Sequence, residues 1–140
     1  MERALFALLH ISKLDTDPMV LIWLFYAFER LFQTKAGENF SSLVQRIVLL
    51  FNLGDAQAKT VRREFRELYN TRSAIVHGGF EIAHPMHNEI LDKAIDDNYL
   101  KISEPAEFGL ALLLAAIQET IVRGWRYPIF SERLDGQEIG

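Results

Sequence analysis

Leu68-Tyr69-Asn70-Thr71-Arg72-Ser73-Ala74-Ile75-Val76-His77-Gly78-Gly79 is the stretch on which the reading of this chain turns. Apolar residues recur at helical spacing through Val61, Phe65, Leu68, Ile75 and Val76, and a double glycine ends the helix directly after His77. The same helix is predicted to begin at Asp55, read as its N-cap. On a wheel of about 100° per residue Arg72 falls in the middle of the apolar stripe, so it is aimed at the core or at an interface. His77 lies on another face, about 140° away, with Ser73 one turn before it and Asn70 and Arg66 further back along the same side.

Working outward, the chain yields helices and no strand-period segment. A first amphipathic helix is predicted from Glu2 to about Lys13. Asp17 then caps a second helix with Pro18 at its first position, running to about Thr34. Apolar residues surround nearly all of that second helix, the pattern of a central buried element. Ser41 or Asn39 is read as the cap of a third helix that closes at Asn52-Leu53-Gly54. After the double glycine come a loop at His84-Pro85-Met86-His87 and a short acidic helix over about Asn88 to Asp97. A last long helix follows, capped by Ser103 with Pro105 in its first turn. The expectation is one all-α domain over residues 1–140. It is a bundle of four long helices plus one or two short ones, with the second, fourth and last helices forming the core and a loosely ordered tail from about Tyr127 to Gly140.

Composition narrows the function classes. A chain of 140 residues that is 49% hydrophobic buries roughly two-thirds of its unfolded surface, enough for one core. No cysteine is present, which excludes disulfides, thiolate zinc sites and cysteine nucleophiles and suits a reducing cytoplasm. The N-terminal apolar stretch does not read as a signal peptide, and the uninterrupted apolar runs Met19 to Phe28 and Phe108 to Ile117 are too short to span a membrane. His84-x-x-His87 has metal-like spacing, but Pro85 intervenes and no third ligand is near, so neither a metal nor a cofactor is expected.

The passage from Trp23-Leu24-Phe25-Tyr26-Ala27-Phe28-Glu29-Arg30-Leu31-Phe32 to Tyr69, Arg72, Ser73, Ile75, Val76, His77 and Gly78 resembles the HEPN superfamily, most closely its Apea-like branch. There a helix bearing an apolar run and a glutamate is followed, some forty residues on, by a helix ending in Tyr-x-x-Arg-Ser-x-Ile-Val-His-Gly. The agreement covers about residues 18 to 80. Ser73 stands where many members carry Asn, Asp or His, as in other Apea-like sequences.

The resemblance implies a homodimer in which two motif helices bring Arg72 and His77 to one shared cleft, and metal-independent cleavage of RNA as the chemistry. The ribose 2′-hydroxyl would attack, His77 would serve as general base or acid, and Arg72 would clamp the phosphate with a planar, permanently charged fork. Ser73, Asn70, Tyr69 and Arg66 would orient phosphate or ribose. For Arg72 the apolar stripe poses a separate demand, since an unpaired buried guanidinium costs several kcal/mol. Glu29, flanked by Ile22, Phe25, Tyr26 and Phe32, is expected to meet it.

Charge is uneven along the chain, whose net value is −4. From Lys59 to Arg72 five basic residues, Lys59, Arg62, Arg63, Arg66 and Arg72, stand against only Glu64 and Glu67, whereas the region from Asn88 to Glu107 is strongly acidic. Three readings stand side by side: a ribonuclease of the toxin or antiviral-defence kind, with an antitoxin or a larger defence assembly as partner; a catalytically inert HEPN-like module binding nucleotide, RNA or protein through the same cleft; and a purely structural dimerisation domain.

Overall fold

A computed structural model describes residues 1–13, 17–34, 40–80 and 91–131, and of residues 91–98 the backbone alone. Five helices and no strand occur among the described residues: α1 (Glu2–Ile11), α2 (Met19–Phe32), α3 (Phe40–Phe51), α4 (Asp55–Val76) and α5 (Leu91–Val122). The fold is an all-α helical bundle, as the hydrophobic periodicity predicts.

α2 is the central element and touches all four other helices. Its start is fixed by Asp17, whose Oδ1 accepts a 2.8 Å hydrogen bond from the Met19 N–H. Pro18, with right-handed helical angles, is itself the N-cap one residue later than the Asp17 reading, so Met19 is the first helical residue; the missing N–H of Pro18 costs nothing there. Val20, Leu21, Leu24, Phe25, Ala27, Phe28, Leu31 and Phe32 are all buried. Each of the larger ones contributes about 1.5–3 kcal/mol of transfer free energy. Among the described helices α1 packs on α2 alone, through Ala4, Ala7 and Ile11, while His10 stacks on Trp23 with centroids 4.2 Å apart.

α3 ends as the sequence predicts: Asn52 takes a left-handed conformation (φ 49°) and the Leu53 N–H closes back on the Val48 carbonyl at 3.1 Å. Its start differs from the Ser41 reading, because Phe40 is already helical; Asn39 lies outside the described residues. The cap of α4 also differs. Gly54 occupies the N-cap and donates its N–H to Gln57 Oε1 at 3.3 Å, which leaves Asp55 as the first helical residue. There its carboxylate complements the positive end of the helix dipole instead of capping it.

The last third of the chain holds the largest departure. The short acidic helix and the Ser103-capped helix are one element of 32 residues, with Pro105 inside it. Pro105 has no N–H to give to the Lys101 carbonyl, and Lys101 and Pro105 both line an open cavity. The proline interrupts one hydrogen bond without ending the helix, which continues to Val122. The tail is more firmly attached than expected as far as Ser131. Pro128 is fully buried, and Phe130 packs 5.8 Å from Phe32 with the Arg46 guanidinium over its ring. The aromatic and proline side chains supply apolar area that its loop-like composition hides.

α2, α4 and α5 meet at a close crossing. Gly109 of α5 lies so near its neighbours that a Cβ there would sit 2.9 Å from Leu68 Cδ2 and 3.2 Å from Leu24 Cδ1. Phe65 of α4 fills the adjoining space, with ring centroids 5.4 Å from Phe25, 5.0 Å from Phe28 and 5.8 Å from Phe40. The end of α5 is tied to α3 by Arg123, whose Nη2 donates to the Leu50 carbonyl at 2.9 Å.

Counting only uninterrupted apolar runs understates α5. Its portion Tyr99–Val122 is long and apolar enough to cross a membrane by length and composition, and 28% of its most apolar window is buried. The core helix of a water-soluble protein meets the same criterion, and Leu113, Ala116, Ile117 and Thr120 are buried core residues here.

Candidate functional site

α4 carries the candidate residues, and only Phe65 and Leu68 along it are fully enclosed. At about 100° per residue its charges separate cleanly: Lys59, Arg62 and Arg66 point one way and Glu64 and Glu67 the other. Asn70, Ser73 and His77 continue the basic side. All of these are exposed save Glu64 and Ser73, which are half-buried. Arg63 differs from its basic neighbours in being neutralised locally, since its Nε donates to Glu64 Oε1 at 2.9 Å.

His77 is the C-cap of α4, with φ −95° and ψ 8°. Its backbone N–H bonds the Ser73 carbonyl at 3.0 Å, and Gly78 then turns left-handed at φ 72° so that the Gly79 N–H reaches the Ala74 carbonyl at 2.8 Å. A residue with a Cβ would be strained at Gly78, which is why the helix stops there. The imidazole is exposed, and among the described residues no hydrogen bond or ion pair engages it.

Arg72 is half-buried and leans toward α2. Its guanidinium carbon lies 5.7 Å from the centroid of the Phe25 ring, and its Nε is buried without a hydrogen-bond partner. The expected meeting with Glu29 does not occur: Glu29 is exposed and makes no ion pair with Arg72. The reason lies in the α2 wheel. Glu29 shares its side of the helix with Ile22 and Tyr26, which are half-buried border residues, and sits about 100° round from fully buried Phe28. Apolar neighbours one turn away therefore place it at the edge of the core, not in it.

The structure thus brings Arg72 together with aromatic residues and leaves His77 on a different side of α4, about 140° round the helix. Helix geometry therefore points the two apart within one copy of the chain. Tyr69 and Arg66 do join Arg72, through rings that sequence reasoning missed or undervalued. The Arg66 guanidinium lies 4.7 Å from the Phe40 centroid, Phe40 lies 5.3 Å from Tyr69, and Tyr69 lies 5.8 Å from Phe25. The missed signal was an arginine in an apolar stripe facing an aromatic-rich helix, because guanidinium stacks on aromatic faces as readily as it pairs with carboxylates.

A cavity of about 450 Å³ opens on the other side of α4, between α4 and α5, lined by Glu64, Glu67, Asn70, Thr71, Lys101 and Glu104 among others. Neither Arg72 nor His77 reaches it. Three carboxylates against one lysine repel a phosphate, so the basic side of α4, not the cavity, is the part of the surface suited to an anion. No group of three or more metal-ligating side chains occurs among the described residues, and His84 and His87 lie outside them. No family model matches the chain, and neither a curated protein nor a solved structure matches it.

Proposed function

We propose that the chain is a HEPN-like module, of the Apea-like kind, that binds RNA as a homodimer and cleaves it without a metal, using Arg72 and His77. The observation that carries this reading is that Arg72 has no carboxylate partner among the described residues. An arginine kept only to fix helix register would be expected against a carboxylate, whereas this one is held by the Phe25 ring and has a buried Nε with no hydrogen-bond partner among the described residues. Its charge remains available to a phosphate, and Lys59, Arg62 and Arg66 on the neighbouring side of α4 extend the attraction.

In the proposed reaction the ribose 2′-oxygen attacks the adjacent phosphorus while His77 takes its proton. The phosphorus–O5′ bond breaks, and the departing 5′ oxygen receives a proton from the His77 of a second copy or from water. Arg72 stabilises the charge on the phosphoryl oxygens, and the products are a 2′,3′-cyclic phosphate and a 5′-hydroxyl. Since Arg72 and His77 diverge around α4, the active arrangement takes them from different copies. The same divergence favours a second reading, an inert module that binds RNA or nucleotide and leaves it intact. A reducing cytoplasm, and a toxin or antiviral-defence setting with an antitoxin or larger assembly as partner, belong to the first reading.

The test is incubation of the purified protein with RNA in a metal chelator. Cyclic phosphate ends that vanish in His77→Ala support the ribonuclease. Binding without cleavage from pH 5 to 9 leaves the inert module, and the absence of both overturns the two readings together.

A further inference from the structure

Arg66, Tyr69 and Arg72 follow one another at intervals of three residues, so they form an oblique ridge along α4, each about 60° round and about 4.5 Å along from the last. The ridge alternates charge, ring and charge. Each guanidinium is fixed by a ring from another helix, Arg66 by Phe40 of α3 and Arg72 by Phe25 of α2. Tyr69 is wedged between those two rings, T-shaped to Phe25 and tilted to Phe40, yet remains 37% exposed. Three helices therefore converge to hold one accessible tyrosine between two arginines that lack carboxylate partners among the described residues.

Resting on the RNA reading above, we propose that this ridge is a subsite for one unstacked nucleobase, which stacks on the open part of the Tyr69 ring while Arg66 and Arg72 hold the phosphates on either side of it. The chemistry follows from what each group can do. An aromatic ring offers every base a stacking partner whatever its identity, and flanking guanidiniums supply the salt-dependent contact to the strand. The arginines are about 9 Å apart along the helix axis, and their side chains are long enough to adjust to a flexible strand. Glu64 and Glu67 face away from the ridge, so no carboxylate of α4 opposes the phosphates. Phe25 and Phe40 pre-position the tyrosine and the arginines, which lowers the ordering cost of binding. A base paired within a duplex is already stacked on both faces and cannot occupy this place.

Two RNA oligomers of equal length test this, one complete and one with a single abasic ribose at its centre, both made uncleavable by 2′-methoxy groups. Binding is measured by fluorescence anisotropy for wild type, Tyr69→Phe and Tyr69→Leu, with circular dichroism confirming the helical fold of each. The expected result is that wild type and Tyr69→Phe bind the complete strand about tenfold or more tightly than the abasic one. Tyr69→Leu, which keeps apolar contact with Phe25 and Phe40, should lose that preference. Equal weakening of both strands in Tyr69→Leu, or no weakening of either, overturns the stacking subsite. Cleavage of unmodified RNA by wild type shows separately that the ribonuclease reading stands when the subsite fails, and no binding of either strand by wild type overturns both.

Discussion

The guanidinium of Arg72 rests on the face of Phe25, 5.7 Å from the ring centroid, and Glu29 stays at the surface. This relationship replaces a buried ion pair with a cation–π contact, and it changes what each residue contributes. Such a contact is worth about 0.5–2 kcal/mol, less than the penalty of leaving a buried charge stranded. Arg72 as a whole is half-buried, and its Nε is buried.

Glu29→Ala is therefore expected to lower unfolding stability by less than about 0.5 kcal/mol, the range of a surface substitution. Urea denaturation of the two proteins measures it. A loss of about 3 kcal/mol or more would instead reveal a buried pair with Arg72.

Arg72→Met separates stability from binding. Methionine fills much of the same space against Phe25 and has no Nε to leave unpartnered, so stability should stay within about 1 kcal/mol of wild type or rise. RNA affinity and its salt dependence should both fall, since one phosphate contact is removed. Loss of the fold in this variant would show that the arginine is structural.

How far the sequence could be read depended on whether a signal was local. Asp17-Pro18 at the start of α2, Asn52 after α3 and Gly78-Gly79 after α4 all act through backbone preferences of their own residues, and each behaves as its chemistry dictates. Pro105 misled because a proline removes one helical hydrogen bond without ending a helix whose neighbouring turns pack against other helices, here α2 and α4. Glu29 misled for a related reason. Apolar neighbours at helical spacing show that a residue lies near a buried stripe, but which side of the border it occupies is decided by where α1, α4 and α5 dock around α2. Of the candidate site, Arg72, His77, Ser73, Asn70, Tyr69 and Arg66 are placed on α4 by its periodicity alone. That Phe25 and Phe40 support them is a tertiary fact between helices, with no counterpart in spacing along the chain.

Gly109 weighs two opposed effects of known size. Alanine would gain about 1 kcal/mol of helix propensity. Its Cβ would also press on Leu68 and Leu24, both fully buried, and overpacking of this kind costs about 1–3 kcal/mol. Neither leucine can swing into solvent, so the expected outcome of Gly109→Ala is a net loss of up to about 2 kcal/mol by chemical denaturation. A gain in stability would mean that the α2–α4–α5 crossing repacks freely.

Phe65 is the ring on which α2, α3 and α4 converge, fully buried and in contact with Phe25, Phe28 and Phe40. Phe65→Ala should cost about 3–5 kcal/mol, which is enough to unfold a marginal domain near room temperature. Phe65→Leu should recover more than half of that loss. Both values come from the same denaturation series, and a loss under about 1 kcal/mol for the alanine variant would contradict the packing of this core.

The final prediction concerns the divergence of Arg72 and His77 around α4. If the active cleft takes its arginine from one copy and its histidine from another, Arg72→Met and His77→Ala should each be inactive alone and should restore activity when mixed. Random exchange makes half of all dimers mixed, and each mixed dimer keeps one of the two cross-copy Arg72–His77 pairs of the shared cleft, so the recovered rate should approach about a quarter of wild type. The mixture must be unfolded and refolded together to allow exchange, and the product is read as cyclic phosphate ends. A mixture that stays inactive, although chemical cross-linking shows mixed dimers, would mean that Arg72 and His77 do not act across copies. The divergence that helix geometry gives the two side chains would then favour the binding module over the ribonuclease.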